Sequence, residues 1–495
     1  MDPTDWEGYR AEMHSLLDTC TDRMTSYRNL PWKAPPANLK KAVKIATEGF
    51  GARHGRSLQD VVSQIVGDIM PYSTGNTHPQ FMGWVHGAGM PSAVAADLVS
   101  STMNSNCGGR NQGAAEVEVA CIDWLCHVAG FTMKTTSSGP GKKATTPFGV
   151  LTGGTSQATI YALMSARTRL FGYEVRKKGI LAMGPVRVYV SSAAHSCMAR
   201  AMECLGHGSD SVVRIPTDPE GAMQVEKLRE QLARDRADGL KPLAIVGTAG
   251  SVTVGAYDDF SALSALAKEF KTWLHIDAAF GFWTRLSQDP KIRNLTNSLH
   301  EADSIALDAH KWPGVQYDCG ALLVRDKAHL RDTLASRPGY LQGASEGLAG
   351  GDTWFTDYSL DLSRGFRALK LWTALQVAGA DAIGAVVTDH CALARYMGEL
   401  IKASAFSELA QPIQSNICCF HVKSDLTIDG ALPDVVDIAA NLQLQGKGVF
   451  STVNLGDKSC LRAAIVNHRT TPADIAAIVT SADETVQLML SPVET

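Results

Sequence analysis

The chain has 495 residues, 45% hydrophobic and 19% charged, with a formal net charge of −4 and a pI of about 6.4. This is globular composition with length for more than one domain, and the charge balance argues against partners such as nucleic acid or an anionic membrane. The 11 cysteines are odd in number and scattered without a Cys-x-x-Cys pair, which argues against a disulfide framework or a zinc site.

The N-terminus carries no apolar signal core, and no run is expected to reach the length needed to span a bilayer. A soluble, cytoplasmic protein is expected. Residues 5–29 place Trp6, Tyr9, Met13, Leu16, Leu17 and Met24 at helical spacing. Leu30-Pro31-Trp32 and Pro35-Pro36 then break into an extended arm. A helix and arm with so little core of their own are expected to pack on another domain or subunit. Residues 37–69 read as helical again. Residues 78–86, His-Pro-Gln-Phe-Met-Gly-Trp-Val-His, are dense in aromatics and histidine. A helix is predicted over 91–103, a polar Gly-rich loop over 104–113 and a helix over 116–129. Residues 135–146 read as a Ser/Gly/Lys-rich surface loop.

From 149 to 324 strands and helices alternate. Strands are predicted at 187–192, 212–215, 243–248, 272–277, 304–308 and 320–324, with helices such as 223–237 and 260–270 between them. Alternation of this kind implies an α/β fold with a mostly parallel sheet covered on both faces. Ligands in such sheets sit beyond the carboxyl ends of the strands. Residues 331–352 form a long Gly-rich stretch that reads as a lid or as a disordered segment. Helices follow at 363–377 and 382–403. Strands at 416–422, 449–453 and 460–466 mix with helices at 434–444 and 472–488, which suggests a smaller α+β domain.

Four features at strand ends carry chemistry. Gly153-Gly154-Thr155-Ser156 precedes a helix expected to start near Gln157. Its backbone N–H groups and hydroxyls would cradle a phosphate, or would serve only as a turn and N-cap. His195 follows the strand ending at 192 and would stack on a planar aromatic ligand, or cap a helix. Asp277 ends an apolar strand, followed by Ala279. A buried carboxylate there would hold a protonated pyridine nitrogen, or cap a helix N-terminus. His310-Lys311 follows the strand ending in Asp308. Its lysine suits a Schiff-base amine, or a strand-end Lys reaching to water. Phosphate cradle, stacking imidazole, carboxylate and lysine are together the parts of a pyridoxal phosphate site.

With these residues in this order the chain resembles the group II pyridoxal-phosphate-dependent amino acid decarboxylases, most closely their aromatic-L-amino-acid branch. The resemblance runs from His78-Pro-Gln-Phe to Leu461-Arg462. It implies the fold-type I, aspartate-aminotransferase-like architecture, with pyridoxal 5'-phosphate (PLP) as cofactor. It implies an N-terminal helical dimerisation arm over 1–77, a large PLP-binding domain over 78–378 and a small C-terminal domain over 379–495. The large domain would carry a mobile catalytic loop at about 331–352. A homodimer with active sites at the subunit interface is expected. Matched position by position, Lys311 resembles the Schiff-base lysine, Asp277 the partner of the pyridine nitrogen and His195 the stacking histidine. Thr155, Ser156 and His310 match phosphate-binding positions, and Thr248 and Ala279 positions lining the ring. Phe81, Trp84 and Arg462 match substrate-side positions. Tyr340 matches a loop tyrosine associated with protonation at Cα, which implies amine rather than aldehyde as product.

Two stretches depart from the branch. Asn106, Arg110 and Gln112 are polar where an aromatic pocket wall is usual. Arg110 would either make a structural or interface ion pair or recognise an acidic or hydroxylated side chain. Gly281-Phe282-Trp283 would either line the site or fill core. The expected reaction is decarboxylation of an aromatic L-amino acid, such as tryptophan, tyrosine, phenylalanine or DOPA. The alternatives are an acidic substrate read by Arg110, or oxidative formation of an aldehyde.

Overall fold

A computed structural model describes residues 2–45, 55–135, 144–336, 343–351, 353–427 and 431–491. The chain divides into two compact units. One comprises Met1–Trp84, Tyr396–Ala410 and Cys419–Thr495, the other Val85–Arg395 and Gln411–Cys418.

The larger unit opens with helices Pro91–Met103 and Gly113–Ala129, then a two-residue ribbon of β1 (Lys134–Thr135) and β2 (Ala144–Thr145). Seven strands follow: β3 (Phe148–Thr152), β4 (Val186–Ser191), β5 (Val212–Ile215), β6 (Lys241–Thr248), β7 (Trp273–Asp277), β8 (Ser304–Asp308) and β9 (Gly320–Val324). They form one sheet in the order β3-β9-β8-β7-β6-β4-β5. Strand β9 runs antiparallel to both its neighbours, β3 and β8. The other pairings are parallel. This is the fold-type I α/β architecture. Strands β3, β7, β8 and β9 are buried along their whole length. Such two-sided burial explains why they read as continuous apolar runs rather than alternating ones.

Helix Thr155–Phe171 lies across the sheet. It buries Ala158, Ala162 and Ala166 at four-residue spacing, small side chains that let it approach Val150, Val188, Ala306 and Leu322 closely. Each fully buried Val or Leu in this layer contributes about 1.5–3 kcal/mol. The free edge of β3 is closed by a buried ion pair. Glu118 Oε1 accepts from the Leu151 N–H at 3.0 Å, and Arg364 donates to the Leu151 carbonyl at 2.7 Å and to Glu118 at 2.6 and 3.0 Å. Both hydrogen-bonding groups of an edge residue are thereby satisfied.

Several boundaries differ from expectation. Strand β3 is additional to the predicted set, and its helix starts at Thr155 rather than near Gln157. Within 37–69 the described helices are only Leu39–Ala42 and Leu58–Gln64, followed by a π-turn at Ile65–Ile69. Helix Lys327–Leu334 enters the stretch read as loop. Helix Arg367–Ala403 is long and apolar enough to cross a bilayer by length and composition alone, which corrects the expectation that no run is. It is broken at Gly379 (φ 74°, ψ 163°), between the two helices expected there. It also buries Leu371, Ala374, Val387 and Cys391 against the protein.

In the smaller unit, helix Trp6–Thr25 is capped by Asp5 and has no buried residue. Four strands, β10 (Ser407–Leu409), β11 (Ile417–Val422), β12 (Ser451–Leu455) and β13 (Lys458–Ala464), form a sheet in the order β10-β11-β13-β12. Helix Pro472–Leu490 opens with a capping box in which Thr471 and Asp474 bond each other's backbone N–H.

Candidate active site

Three parallel strands of the larger unit end in polar residues: β6 in Thr248, β7 in Asp277 and β8 in Asp308. The register pairs Thr248 directly with Asp277. Main-chain bonds carry the alignment past the strand ends, from Ala249 N–H to the Asp277 carbonyl and from Asp308 N–H to the Ala279 carbonyl. Facing these ends is the N-terminus of helix Thr155–Phe171, reached through the turn Gly153-Gly154. Gly154 has φ 156° and donates to Thr152 Oγ1. Gly320, opening β9, makes room for that turn, since a Cβ on it would sit 2.5 Å from Gly154 Cα.

Asp277 is 5% exposed and accepts a hydrogen bond from the Ala279 N–H at 3.2 Å. Burial raises its pKa, while Lys311, the Ala279 N–H and His195 pull it down. Lys311 places Nζ 3.1 Å from Asp308 Oδ2. Asp308 Oδ1 accepts the Thr155 N–H at 2.8 Å. His310 Nδ1 accepts the Cys319 N–H at 3.1 Å, which assigns the proton of the neutral ring to Nε2. That nitrogen faces Asp308 Oδ2 at 3.7 Å, and burial lowers the pKa of the ring. His195 follows β4 and accepts the Cys197 N–H on Nδ1 at 3.2 Å, so its proton also sits on Nε2. Its ring is open to solvent on one side, yet the protein around the other desolvates it and lowers its pKa, against the opposing pull of Asp277.

Two hydroxyls decide what the site fits. Thr155 Oγ1 and Thr248 Oγ1 are buried and have no hydrogen-bond partner among the described residues. One stands at a helix N-terminus, where the dipole favours an anion. The other stands beside a buried carboxylate. A phosphate at the first and a cationic ring nitrogen at the second would answer both, with Lys311 placed to bond a carbonyl carbon. PLP carries all three groups.

Comparison with known proteins agrees. The family model described as the pyridoxal-dependent decarboxylase conserved domain matches residues 44–423. The chain belongs to the pyridoxal-dependent decarboxylase family. It is a PLP-dependent amino acid decarboxylase. An aromatic-L-amino-acid decarboxylase of Bacillus atrophaeus is 29% identical over 406 residues, 81% of this chain and 80% of the relative. Tryptophan decarboxylase 1 of Oryza sativa subsp. japonica is 25% identical over 94% of this chain and 90% of the relative. The crystal structure of Oryza sativa TDC with PLP and tryptamine superposes with a TM-score of 0.88 at 23% identity, covering 99% of this chain and 100% of that one.

This decarboxylase brings Thr155, His195, Thr248, Asp277, His310 and Lys311 into one unit at the carboxyl edge of its sheet. Ser156, exposed, and Ala279, partly buried, flank them. Asn106 and Arg110 lie in the same unit but anchor elsewhere. Asn106 Oδ1 accepts the N–H groups of Gly108 and Arg364, and the Arg110 guanidinium lies 5.7 Å from the centre of the Trp354 ring. Phe81, Trp84 and Arg462 belong to the smaller unit. Trp84 is exposed with φ 51°, and its ring is 6.2 Å from that of Phe81. Arg462 donates to the Trp84 carbonyl at 3.0 Å, and burial lowers its pKa to about 10. Tyr340 lies outside the described residues.

Phe282 and Trp283 are fully buried core, and Trp283 Nε1 holds the Asp308 carbonyl at 2.9 Å. Two carboxylates escaped the reading of the sequence. Asp308 was assigned no role, although a second acid at a strand end three residues before a lysine was a usable signal. Asp258 accepts the N–H groups of Thr248 and Met223, each at 2.7 Å, and burial pushes its pKa up to about 6. It fixes the backbone that carries Thr248.

Proposed function

We propose that this enzyme decarboxylates an aromatic L-amino acid to its amine and CO₂, using PLP held at the carboxyl ends of β6, β7 and β8. The observation that carries the reading is the convergence of Lys311, Asp277 and the helix beginning at Thr155 in one unit. Lys311 is the residue that would bond the cofactor carbonyl. Thr155, Ser156 and the Nε2–H of His310 would hold the phosphate. Asp277 would keep the ring nitrogen protonated, with His195 against the ring and Thr248 and Ala279 lining it. PLP, when bound, supplies the electron sink that lets the Cα–carboxylate bond break. The protein supplies orientation and protons. Tyr340 would supply the proton taken up at Cα.

The aromatic preference rests on the named relatives, an aromatic-L-amino-acid decarboxylase and a tryptophan decarboxylase. An acidic substrate is not favoured, since those relatives are named for aromatic substrates. Phe81, Trp84, Arg462 and Asn106 are each read as substrate-side residues on the resemblance, with Arg462 bonded to the Trp84 carbonyl within the smaller unit. The enzyme is read as a homodimer with active sites at the subunit interface and residues 1–77 as the dimerisation arm. Helix Trp6–Thr25 buries none of its apolar residues within one chain, and Trp6 is 59% exposed, which leaves that face for a second copy. The loop at about 331–352 is read as the catalytic lid. A cytoplasmic location accords with all eleven cysteines being free.

The test is incubation of PLP-loaded enzyme with all protein amino acids plus DOPA and cysteine sulfinate, followed by mass spectrometry. An aromatic amino acid should be replaced by its amine with one CO₂ released per turnover. Consumption of an acidic amino acid, or an aldehyde product, would overturn the reading.

A further inference from the structure

Asp308 is 2% exposed, and its two oxygens do different things. Oδ1 takes the Thr155 N–H, the first of the helix, at 2.8 Å. Oδ2 faces the Lys311 ammonium at 3.1 Å and the Nε2–H side of His310 at 3.7 Å. A single carboxylate therefore serves the helix N-terminus, the imidazole and the lysine. Two of these are groups that a bound phosphate would use. On the opposite side, Gly320 stands so near that a Cβ there would be 2.7 Å from Oδ1. Thr155 Oγ1, at the same helix end, remains without a partner among the described residues. The phosphate end is thus already occupied by an anion of the chain's own, and it is left incompletely bonded.

We propose that Asp308 is a built-in placeholder anion: it neutralises the phosphate end and Lys311 in the cofactor-free chain, and incoming phosphate has to displace it. This rests on the reading that PLP binds here. Two anions sharing one helix terminus repel. The placeholder therefore stabilises the cofactor-free protein and weakens its hold on the phosphate. A neutral side chain at this position keeps an acceptor for the Thr155 N–H and removes the competing charge.

The test compares wild type, Asp308→Asn and Asp308→Ser as cofactor-free proteins. Each is titrated with PLP and with unphosphorylated pyridoxal by absorbance, and its Tm is followed as inorganic phosphate is added. Loss of the Lys311 partner affects both aldehydes alike, so the ratio of their affinities isolates the phosphate end. Both variants should gain affinity for PLP relative to pyridoxal on the order of tenfold. They should also show a lower starting Tm and a larger Tm rise with phosphate than wild type. An unchanged or smaller PLP-to-pyridoxal ratio would overturn the placeholder role and leave Asp308 a fixed strut. Wild type that fails to take up PLP at all would instead refute the cofactor site itself, and the inference with it.

Discussion

Thr248 and Asp277 are cross-strand partners at the carboxyl ends of β6 and β7. Their alignment shows how the fold builds its site. Each crossover helix returns the chain to the same edge of a parallel sheet, so residues far apart in sequence finish side by side. The turn before helix Thr155–Phe171 then brings N–H groups to that edge from the far side of β9. Chemistry at this edge is set by a few buried polar groups, and each can be tested.

Asp277 carries a charge that an amide cannot. Asp277→Asn should leave PLP bound while lowering kcat by at least about a hundredfold, as expected when a preorganised charge is removed from a dry site. Steady-state kinetics with absorbance of bound cofactor check this. A kcat near that of wild type would exclude Asp277 from the chemistry.

Gly320 is needed for space. Gly320→Ala would put a Cβ 2.5 Å from Gly154 Cα and 2.7 Å from Asp308 Oδ1. The Gly154 backbone cannot swing aside as a side chain can, so the turn at 153–155 has to move. A stability loss of about 1–3 kcal/mol is expected, with weaker PLP binding. Denaturant titration and cofactor titration measure the two effects separately.

Stability should fall in acid. Burial lowers the pKa of His275 to about 4, and the buried ring bonds Ser304 Oγ through Nδ1 at 2.8 Å. An unfolded histidine titrates near 6.5, so between these values the unfolded chain binds a proton that the folded chain does not. The stabilisation is therefore complete above about pH 6.5 and is lost as pH falls toward 4, by up to about 3 kcal/mol. His275→Gln should flatten the slope of stability against pH in this window. Part of the slope should persist, because burial lowers the pKa of His468 to about 4 as well. An unaltered slope would assign the acid sensitivity elsewhere.

Arg364 and Glu118 are 0% and 1% exposed and doubly bonded. Arg364→Met should destabilise the protein by about 3–5 kcal/mol, because Glu118 is left buried and unpaired. Adding Glu118→Leu should recover a large part of the loss. Denaturant unfolding of both single variants and the double variant checks this, and strictly additive losses would contradict it.

Much of this was legible in the sequence. The apolar runs ending in Asp277 and Asp308 gave β7 and β8, because strands buried on both faces announce themselves by composition. The order of cradle, His195, Asp277 and Lys311 gave the cofactor. Strand β3 is missing from the predicted strands because its five residues, Phe148–Thr152, lead directly into the Gly153-Gly154 turn. The antiparallel course of β9 was hidden because no periodicity distinguishes a crossover from a direct return. The role of Asp308 depends on Thr155, which lies more than 150 residues earlier and meets it at 2.8 Å only in the fold. Asn106 and Arg110 were read from residue type alone. Type cannot reveal that Arg364 and Trp354 are their neighbours.

The most direct test of the central claim is the site of attachment of the cofactor. PLP-loaded enzyme would be reduced with borohydride, digested and analysed by mass spectrometry. The structure predicts a phosphopyridoxyl group on Lys311 and its absence in Lys311→Ala. A reduced adduct on another lysine, or one that persists in Lys311→Ala, would contradict the site at the ends of β6, β7 and β8.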